Sequence, residues 1–443
     1  MSGDSKESLQ DRLARARQAI ARRGSGSAAT PAVQSPLRPR RGLEDLPGIA
    51  AFEAQMDGVA AMGLASPYFH ARHSANGASI RIDDRELLNF SGYNYLGLSG
   101  HPEVAGAAKA AIDLYGTSAS ASRPVSGEIP LHGELERGLA SALQVEDALA
   151  FVSGYGTNVS TVGHLFGPND LVIHDSLAHS SVLSGCLLSG ARRLAFPHND
   201  VAALDALLAE HRPRCERAVI LVEGVYSMDG DIAPLDRLIE MKRRHDAAIM
   251  VDEAHSIGVL GAHGYGIGEH FHVNRADVDI WMGTLSKTLA SCGGYIAGSR
   301  RLIEYLRYTT PGFIYSVGLS PPDCAAALAA LRIMRREPER VDQLRRRSAF
   351  FAEKIREHRL DTGASAGSAV VPVIIGASMQ TLRVAQRLFE RGINVHPIIY
   401  PATEEGKARL RFFLSALHSE DDLQRAANAV ADAVATVKKQ DGA

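Results

Sequence analysis

Lys287, Asp252, His179 and the glycine turn at Gly154 are the residues of this chain whose types and positions can do chemistry together. Lys287 follows Trp281-Met282-Gly283-Thr284-Leu285-Ser286, which reads as the exit of a core strand over residues 279–282 and a turn at Gly283-Thr284. A lysine held in a low-dielectric pocket has its charged form disfavoured, and the neutral amine is a nucleophile suited to Schiff-base chemistry. A lone lysine is more often solvated, so the reading depends on its company. Asp252 ends the apolar run Ile249-Met250-Val251, where a buried carboxylate suits a heteroaromatic nitrogen that must stay protonated. Gly154-Tyr155-Gly156-Thr157-Asn158 follows another apolar run and opens a helical pattern, a place where free amides and the helix dipole bind phosphate. His179, five residues after His174 at the end of a further run, can stack its flat face on a ring at the carboxyl edge of a sheet.

Each motif has a plainer reading: a tight turn, a satisfied histidine, a solvated lysine. Asp252-Glu253-Ala254-His255 also spells a helicase box, but that chemistry requires a phosphate loop G-x-x-x-x-G-K-[ST], and the sequence has none. Gly258, Gly261, Gly264, Gly266 and Gly268 form a glycine-rich loop expected to wall the pocket, without a strand or helix to make it a dinucleotide fingerprint. His263, His270 and His272 lack metal-ligand spacing and are read as structural. The convergence of Lys287, Asp252, His179 and a phosphate turn, each after a different strand, is far more specific than any one of them.

Short apolar runs at 148–152, 171–174, 193–196, 218–222, 248–251, 280–282 and 294–297 alternate with helical patterns at 133–143, 157–165, 203–210 and 235–245, which predicts a mainly parallel α/β sheet. After Pro322 an Arg-rich helical region over 325–357 precedes strands at 370–374, 395–399 and 409–414 and helices at 381–391 and from Glu420, a smaller α+β domain. The expected divisions are an arm over 1–45, an N-terminal segment over 46–95, a large domain over 96–324 and a small domain over 325–443. The arm carries Arg12, Arg15, Arg17, Arg22 and Arg23, and its apolar spacing predicts a short amphipathic helix over Ser8–Arg23. The 443 residues are 45% hydrophobic with a net charge of −2, which favours small substrates over nucleic acid. Cys186, Cys215, Cys292 and Cys324 show neither disulfide nor zinc spacing, in keeping with a reducing cytoplasm, and no apolar run is long enough to span a membrane.

These motifs resemble the α-oxoamine synthases, pyridoxal phosphate (PLP) enzymes of fold type I, over residues 65–440. The resembling stretches are 89–98 (Asn89 to Leu98), Leu131 to Glu136, Glu223 to Gly230, Val251 to His255, Gly283 to Lys287 and Ala408 to Arg411. The resemblance implies a large domain with a seven-stranded sheet, PLP held on Lys287, His179 stacked on its ring, Asp252 at the ring nitrogen, and His255 with Ser227 near the ring oxygen. It implies Gly154, Tyr155 and Thr284 at the phosphate, and Asn94 and Arg411 at an amino-acid carboxylate, for which a two-pronged guanidinium is suited. The implied reaction is decarboxylative condensation of serine, glycine or alanine with an acyl thioester, on coenzyme A or a carrier protein, in a homodimer. Tyr93-Asn94-Tyr95, Ser286-Lys287 and Pro401-Ala402-Thr403 look most like serine palmitoyltransferase; 8-amino-7-oxononanoate synthase, 2-amino-3-ketobutyrate CoA ligase and polyketide-linked members are the alternatives within the family. A PLP aminotransferase and an inactive partner subunit are the readings from other classes, and the retained Lys287 argues against the latter. One departure is Gly318, where relatives often carry a hydroxyl that reaches the neighbouring subunit's phosphate.

Overall fold

The computed structural model describes residues 42–61 and 63–441. Most of the arm, including Ser8–Arg23, lies outside the described residues. The chain forms two compact units, with the break after Gly63. In the first, a 3-10 turn at Leu43–Asp45 precedes helix α1 (Pro47–Ala61). The second contains everything that follows.

The second unit opens with an antiparallel hairpin, β1 (Ser79–Ile82) and β2 (Arg85–Asn89), and the helices α2 (Pro102–Tyr115) and α3 (Pro130–Leu143). The large sheet is built from β3 (Asp147–Phe151), β4 (Leu171–Asp175), β5 (Arg192–Phe196), β6 (Ala218–Glu223), β7 (Ala248–Asp252), β8 (Ile280–Thr284) and β9 (Gly294–Gly298). Between them run α4 (Gly154–Leu165), α5 (Ser180–Ser189), α6 (Val201–His211), α7 (Leu235–Arg244) and the single turn α8 (Ile267–His270). The strand order is β3-β9-β8-β7-β6-β4-β5. Only β9 runs against its neighbours; the others share one direction. The seven apolar runs read from the sequence are these seven strands.

The sheet is buried on both faces, as parallel sheets are. Leu149, Val172, Val219, Leu221, Met250, Met282 and Ile296 pack on one side. Ile173, Ile220, Ile249, Val251, Trp281 and Tyr295 pack on the other, the alternation that a pleated strand imposes. Trp281 is fully buried and its indole N–H donates to the Arg275 carbonyl at 3.1 Å. The predicted turn at Gly283-Thr284 is instead still strand, since Gly283 pairs with Tyr295 and Thr284 with Gly294. Gly283 is needed in the strand because a Cβ there would lie 2.3 Å from the Tyr295 ring.

Beyond the sheet come α9 (Arg300–Thr309), α10 (Pro311–Ile314), α11 (Pro321–Arg336), α12 (Glu339–Glu357), β10 (Val370–Gly376), α13 (Ser378–Glu390), β11 (Ile393–Asn394), β12 (His396–Ile398), β13 (Ala408–Phe413) and α14 (Glu420–Asp441). The helical region expected over 325–357 is two helices. Pro338 has no N–H to donate and disfavours helical backbone at Glu337, which sits at φ −123° and ψ 62°. Strands β10, β13 and β12 form an antiparallel sheet, and β11 adds in parallel to β2. The Phe413 amide donates to the Phe90 carbonyl at 2.9 Å, so the strand that carries Arg409 and Arg411 is tied to the chain leading to Tyr93.

Candidate active site

Parallel strands bring their carboxyl ends to one edge, and here three of them end on acids: β4 on Asp175, β6 on Glu223, β7 on Asp252. Along that edge lies a cavity of about 240 Å³. Its wall includes the predicted Gly154, Tyr155, His179, Asp252, His255, Thr284 and Lys287.

Ser153 caps α4, its hydroxyl accepting from the Gly156 amide at 3.1 Å, while the Thr157 amide bonds to the Ser153 carbonyl at 2.9 Å. The amides of Gly154 and Tyr155 are then the ones left for a ligand at the positive end of the helix. A Cβ at Gly154 would meet the Thr284 hydroxyl at 2.8 Å, so glycine lets the helix start close against β8. Across the cavity Asp252 is buried. One carboxylate oxygen accepts from Asn158 at 2.8 Å and the other from the Ala254 amide at 2.9 Å. Neighbouring Glu223 pairs in register with Asp252; burial, then the Asp252 charge, pushes its carboxyl well above the usual range.

Lys287 hangs in the turn after β8 with its ammonium 5.6 Å from the Tyr93 ring centroid. Burial lowers its pKa, opposed by Asp252 and Glu223 and assisted by Arg411. Burial also holds His255 well below the ordinary histidine value, with Lys287 and Arg411 adding to the effect. The imidazole is neutral, and its Nδ1 meets the Tyr95 hydroxyl at 2.7 Å. His179 caps α5, with Nδ1 accepting from the Ser181 amide at 3.3 Å.

Asn94, Ser227 and Arg411 stand outside the wall of this cavity. Arg411, on β13, donates to the Ser227 carbonyl at 3.1 Å, while its buried Nε has no hydrogen-bond partner. Asn94 donates one N–H to the Asn76 carbonyl at 2.7 Å and accepts from the Ser99 amide at 3.1 Å; its second N–H is the group open to a ligand. The glycine loop at 258–268 does not wall the pocket. It packs behind the lysine turn, where a Cβ on Gly258 would lie 2.2 Å from the Thr288 methyl. Gly318 has a reason within the chain: its amide donates to the Ala121 carbonyl at 3.0 Å, and a Cβ would lie 2.9 Å from the Gly127 carbonyl.

The sequence reading left Asn158, Glu223, Ser153 and Tyr95 without roles. Asn158 lies one helical turn beyond Gly154, so a polar side chain on the sheet-facing side of α4 was the signal. Glu223, an acid ending an all-apolar strand, repeats the pattern that singled out Asp252.

A sequence profile of the family "Aminotransferase class I and II" matches residues 85–430. The 8-amino-7-oxononanoate synthase of Geobacter sulfurreducens is 42% identical over 361 residues, covering 81% of this chain and 91% of the relative. The chain belongs to the α-oxoamine synthase family. Among solved structures of this family, the Sphingomonas wittichii serine palmitoyltransferase superposes with a TM-score of 0.85 at 30% identity, covering 89% of this chain and 98% of that one. The S. paucimobilis serine palmitoyltransferase with a bound PLP–myriocin aldimine gives a TM-score of 0.86 at 27% identity, covering 90% and 100%. The α-oxoamine synthases are PLP-dependent acyltransferases that use an amino acid and an acyl thioester, and this chain is one of them.

The relatives favour 8-amino-7-oxononanoate synthase over the serine palmitoyltransferase reading of the short motifs. Two of the residues behind that reading also make packing contacts: Tyr93 packs edge-on against Phe413 at 4.7 Å and Tyr95 holds His255. The site fits PLP on its own features: two free amides at a helix start, a buried carboxylate, a buried amine and the buried, unpartnered Asn158 Oδ1 on the cavity wall.

Proposed function

We propose that this α-oxoamine synthase condenses alanine with a seven-carbon dicarboxylic acyl thioester, losing carbon dioxide. The carbon skeleton of the product named for its relatives, 8-amino-7-oxononanoate, is what those two substrates give. The observation that carries the site assignment is the Lys287 amine, its pKa lowered by burial, on the wall of the same cavity as Asp252, Gly154 and Tyr155.

In this reading Gly154, Tyr155, Thr284 and Ser153 hold the PLP phosphate, His179 stacks on the ring, and Asp252 keeps the ring nitrogen protonated. Bound there, PLP supplies the electron sink for a carbanion at the substrate Cα. Lys287, whose pKa burial lowers, would take the Cα proton; neutral His255, held by Tyr95, and Ser227 would lie toward the ring oxygen. Arg411 directs its unpartnered Nε, with the second N–H of Asn94, to the substrate carboxylate, which fixes the Cα–H bond over Lys287. The division into a large domain over 96–324 and a small one over 325–443 belongs to the same proposal, since it sets Arg411 opposite the lysine turn. We further propose a homodimer acting in the cytoplasm. Exposed Tyr315 and Val317 beside the Gly318 turn support the subunit contact, and among the described residues no helix is long and apolar enough to cross a membrane.

The deciding assay offers alanine, glycine and serine against a series of acyl-CoA and acyl-carrier-protein donors and follows thiol and carbon dioxide release. Alanine with the seven-carbon dicarboxylic donor is expected to give the highest kcat/KM. Preference for serine with a palmitoyl donor would restore the serine palmitoyltransferase reading. Light scattering reads the oligomeric state, and full turnover by a monomer would contradict the dimer.

A further inference from the structure

Three turns leave the carboxyl edge of the large sheet side by side, after β4, β5 and β6, and one histidine joins them. His198, just beyond β5, meets the Asp175 Oδ1 with its Nδ1 at 2.9 Å and the Asp231 Oδ2 with its Nε2 at 2.6 Å. Asp175 has no exposed surface. Besides His198, it accepts from the Leu177 amide at 2.8 Å and the Asn199 amide at 2.9 Å, so this carboxylate shapes the turn that ends at His179. Asp231 accepts in addition from the Asn199 side chain at 2.8 Å. Its carbonyl takes the Tyr226 amide at 3.0 Å, which closes the turn bearing Ser227. The Tyr226 ring stands edge-on to the His198 ring at 4.5 Å.

We propose that His198 is a positioning residue: by bridging Asp175 and Asp231 it locks the turn that carries His179 to the turn that carries Ser227, and so fixes both sides of the cavity at once. A histidine that bonds a carboxylate through each nitrogen must be doubly protonated to donate both bonds. Burial opposes that charge, but the two carboxylates outweigh it and raise the pKa to about 10, so the bridge is intact throughout the neutral range. The consequence reaches Arg411, whose contact on this side is the Ser227 carbonyl. A shift of the Ser227 turn would move the guanidinium as well as the histidine ring, and small misplacements of positioning groups are costly in rate.

The inference rests on the reading of His179 as the ring-stacking residue, and the test separates the two. His198→Gln carries its N–H donors on a single nitrogen, so it cannot span the two carboxylates as the two ring nitrogens do. It is made in the native chain and in His179→Ala, and the rate of α-hydrogen exchange with solvent deuterium is measured for alanine, glycine and serine on the PLP-loaded proteins. Hydrogen exchange of backbone amides is followed on the PLP-free proteins. The expected result is an exchange rate lowered on the order of tenfold by His198→Gln in the native background and less than twofold in the His179→Ala background, the non-additivity of residues acting through one another. Segments 175–181 and 226–231 should both lose amide protection. Equal losses in the two backgrounds, or unchanged protection of either segment, would overturn the proposal. If His179→Ala alone leaves the rate unchanged, the reading of His179 fails and amide protection alone decides the clamp. Should His198→Gln not fold, Asp231→Ala, which removes one side of the bridge, enters the same comparison.

Discussion

At the scale of single residues, the site divides its charge unevenly. Glu223 and Asp252 are neighbours on adjacent strands, and burial together with the Asp252 charge raises the Glu223 pKa well above the usual carboxylate range. Lys287→Ala is expected to keep non-covalent PLP through the phosphate contacts and to abolish turnover. Borohydride reduction and peptide mapping check it, because a label on another lysine would sink the assignment. Arg411→Ala should weaken amino-acid binding by roughly 1.5–3 kcal/mol, as for a charged hydrogen bond, with cofactor absorbance intact; an unchanged KM for the amino acid would refute it. Lys287, Asp252 and His179 were legible in the sequence because each interrupts or follows an apolar run, where a polar group needs a reason. Asn158 and Tyr95 were not, since a helix amide and a loop tyrosine look ordinary until folding turns them inward.

At the scale of elements, the strands were readable because burial on both faces writes nearly continuous apolar runs into the chain. The ends of elements were less so. Gly283 reads as a turn but serves to admit the Tyr295 ring, and the break between α11 and α12 needed only Pro338 within an otherwise helical stretch. The glycine loop after Asp252 was misplaced for a related reason, since spacing announces close backbone approach without saying to what. Gly318 is the sharpest instance: its neighbours are Gly127, Ala119 and the Arg123 stem, and Arg123 is itself pinned by Glu128 and Glu136. Gly318→Ala should therefore destabilise the fold by about 1–3 kcal/mol, the cost of overpacking. A urea midpoint indistinguishable from that of the native chain would show that the turn can yield.

At the scale of the whole molecule, buried neutral histidines make stability depend on acid. His418 stacks on Phe90 at 4.6 Å, accepts from the Ser415 amide at 3.0 Å and reaches the Asn89 carbonyl at 3.1 Å. Burial holds its pKa down to about 4 against an ordinary 6.5. The native state refuses a proton that the unfolded chain takes, so stability is lost as the pH falls below 6.5, and the loss continues until about 4. Between pH 6.5 and 5 the contribution is about 2 kcal/mol at ~1.36 kcal/mol per pH unit. His418→Phe keeps the stack but loses the hydrogen bonds. It should be less stable than the native chain at pH 7, with the gap narrowing by about 2 kcal/mol at pH 5 in urea unfolding, and a gap that stays constant would contradict the account.

The reversed strand β9 bears on how such a chain reaches its native state. It lies between β3 and β8, with Phe151 beside Gly294 and Thr284 beside Gly294 on the other flank. The Ser153–Tyr155 end of the cavity follows β3, and Lys287 precedes β9, so the two ends belong to strands that are distant in sequence and meet only when β9 slots between its neighbours. Contacts of that sequence range are slow to close. The lysine and the phosphate amides therefore share one site only through β9, which joins the hairpin partner β8 to the sequence-distant β3.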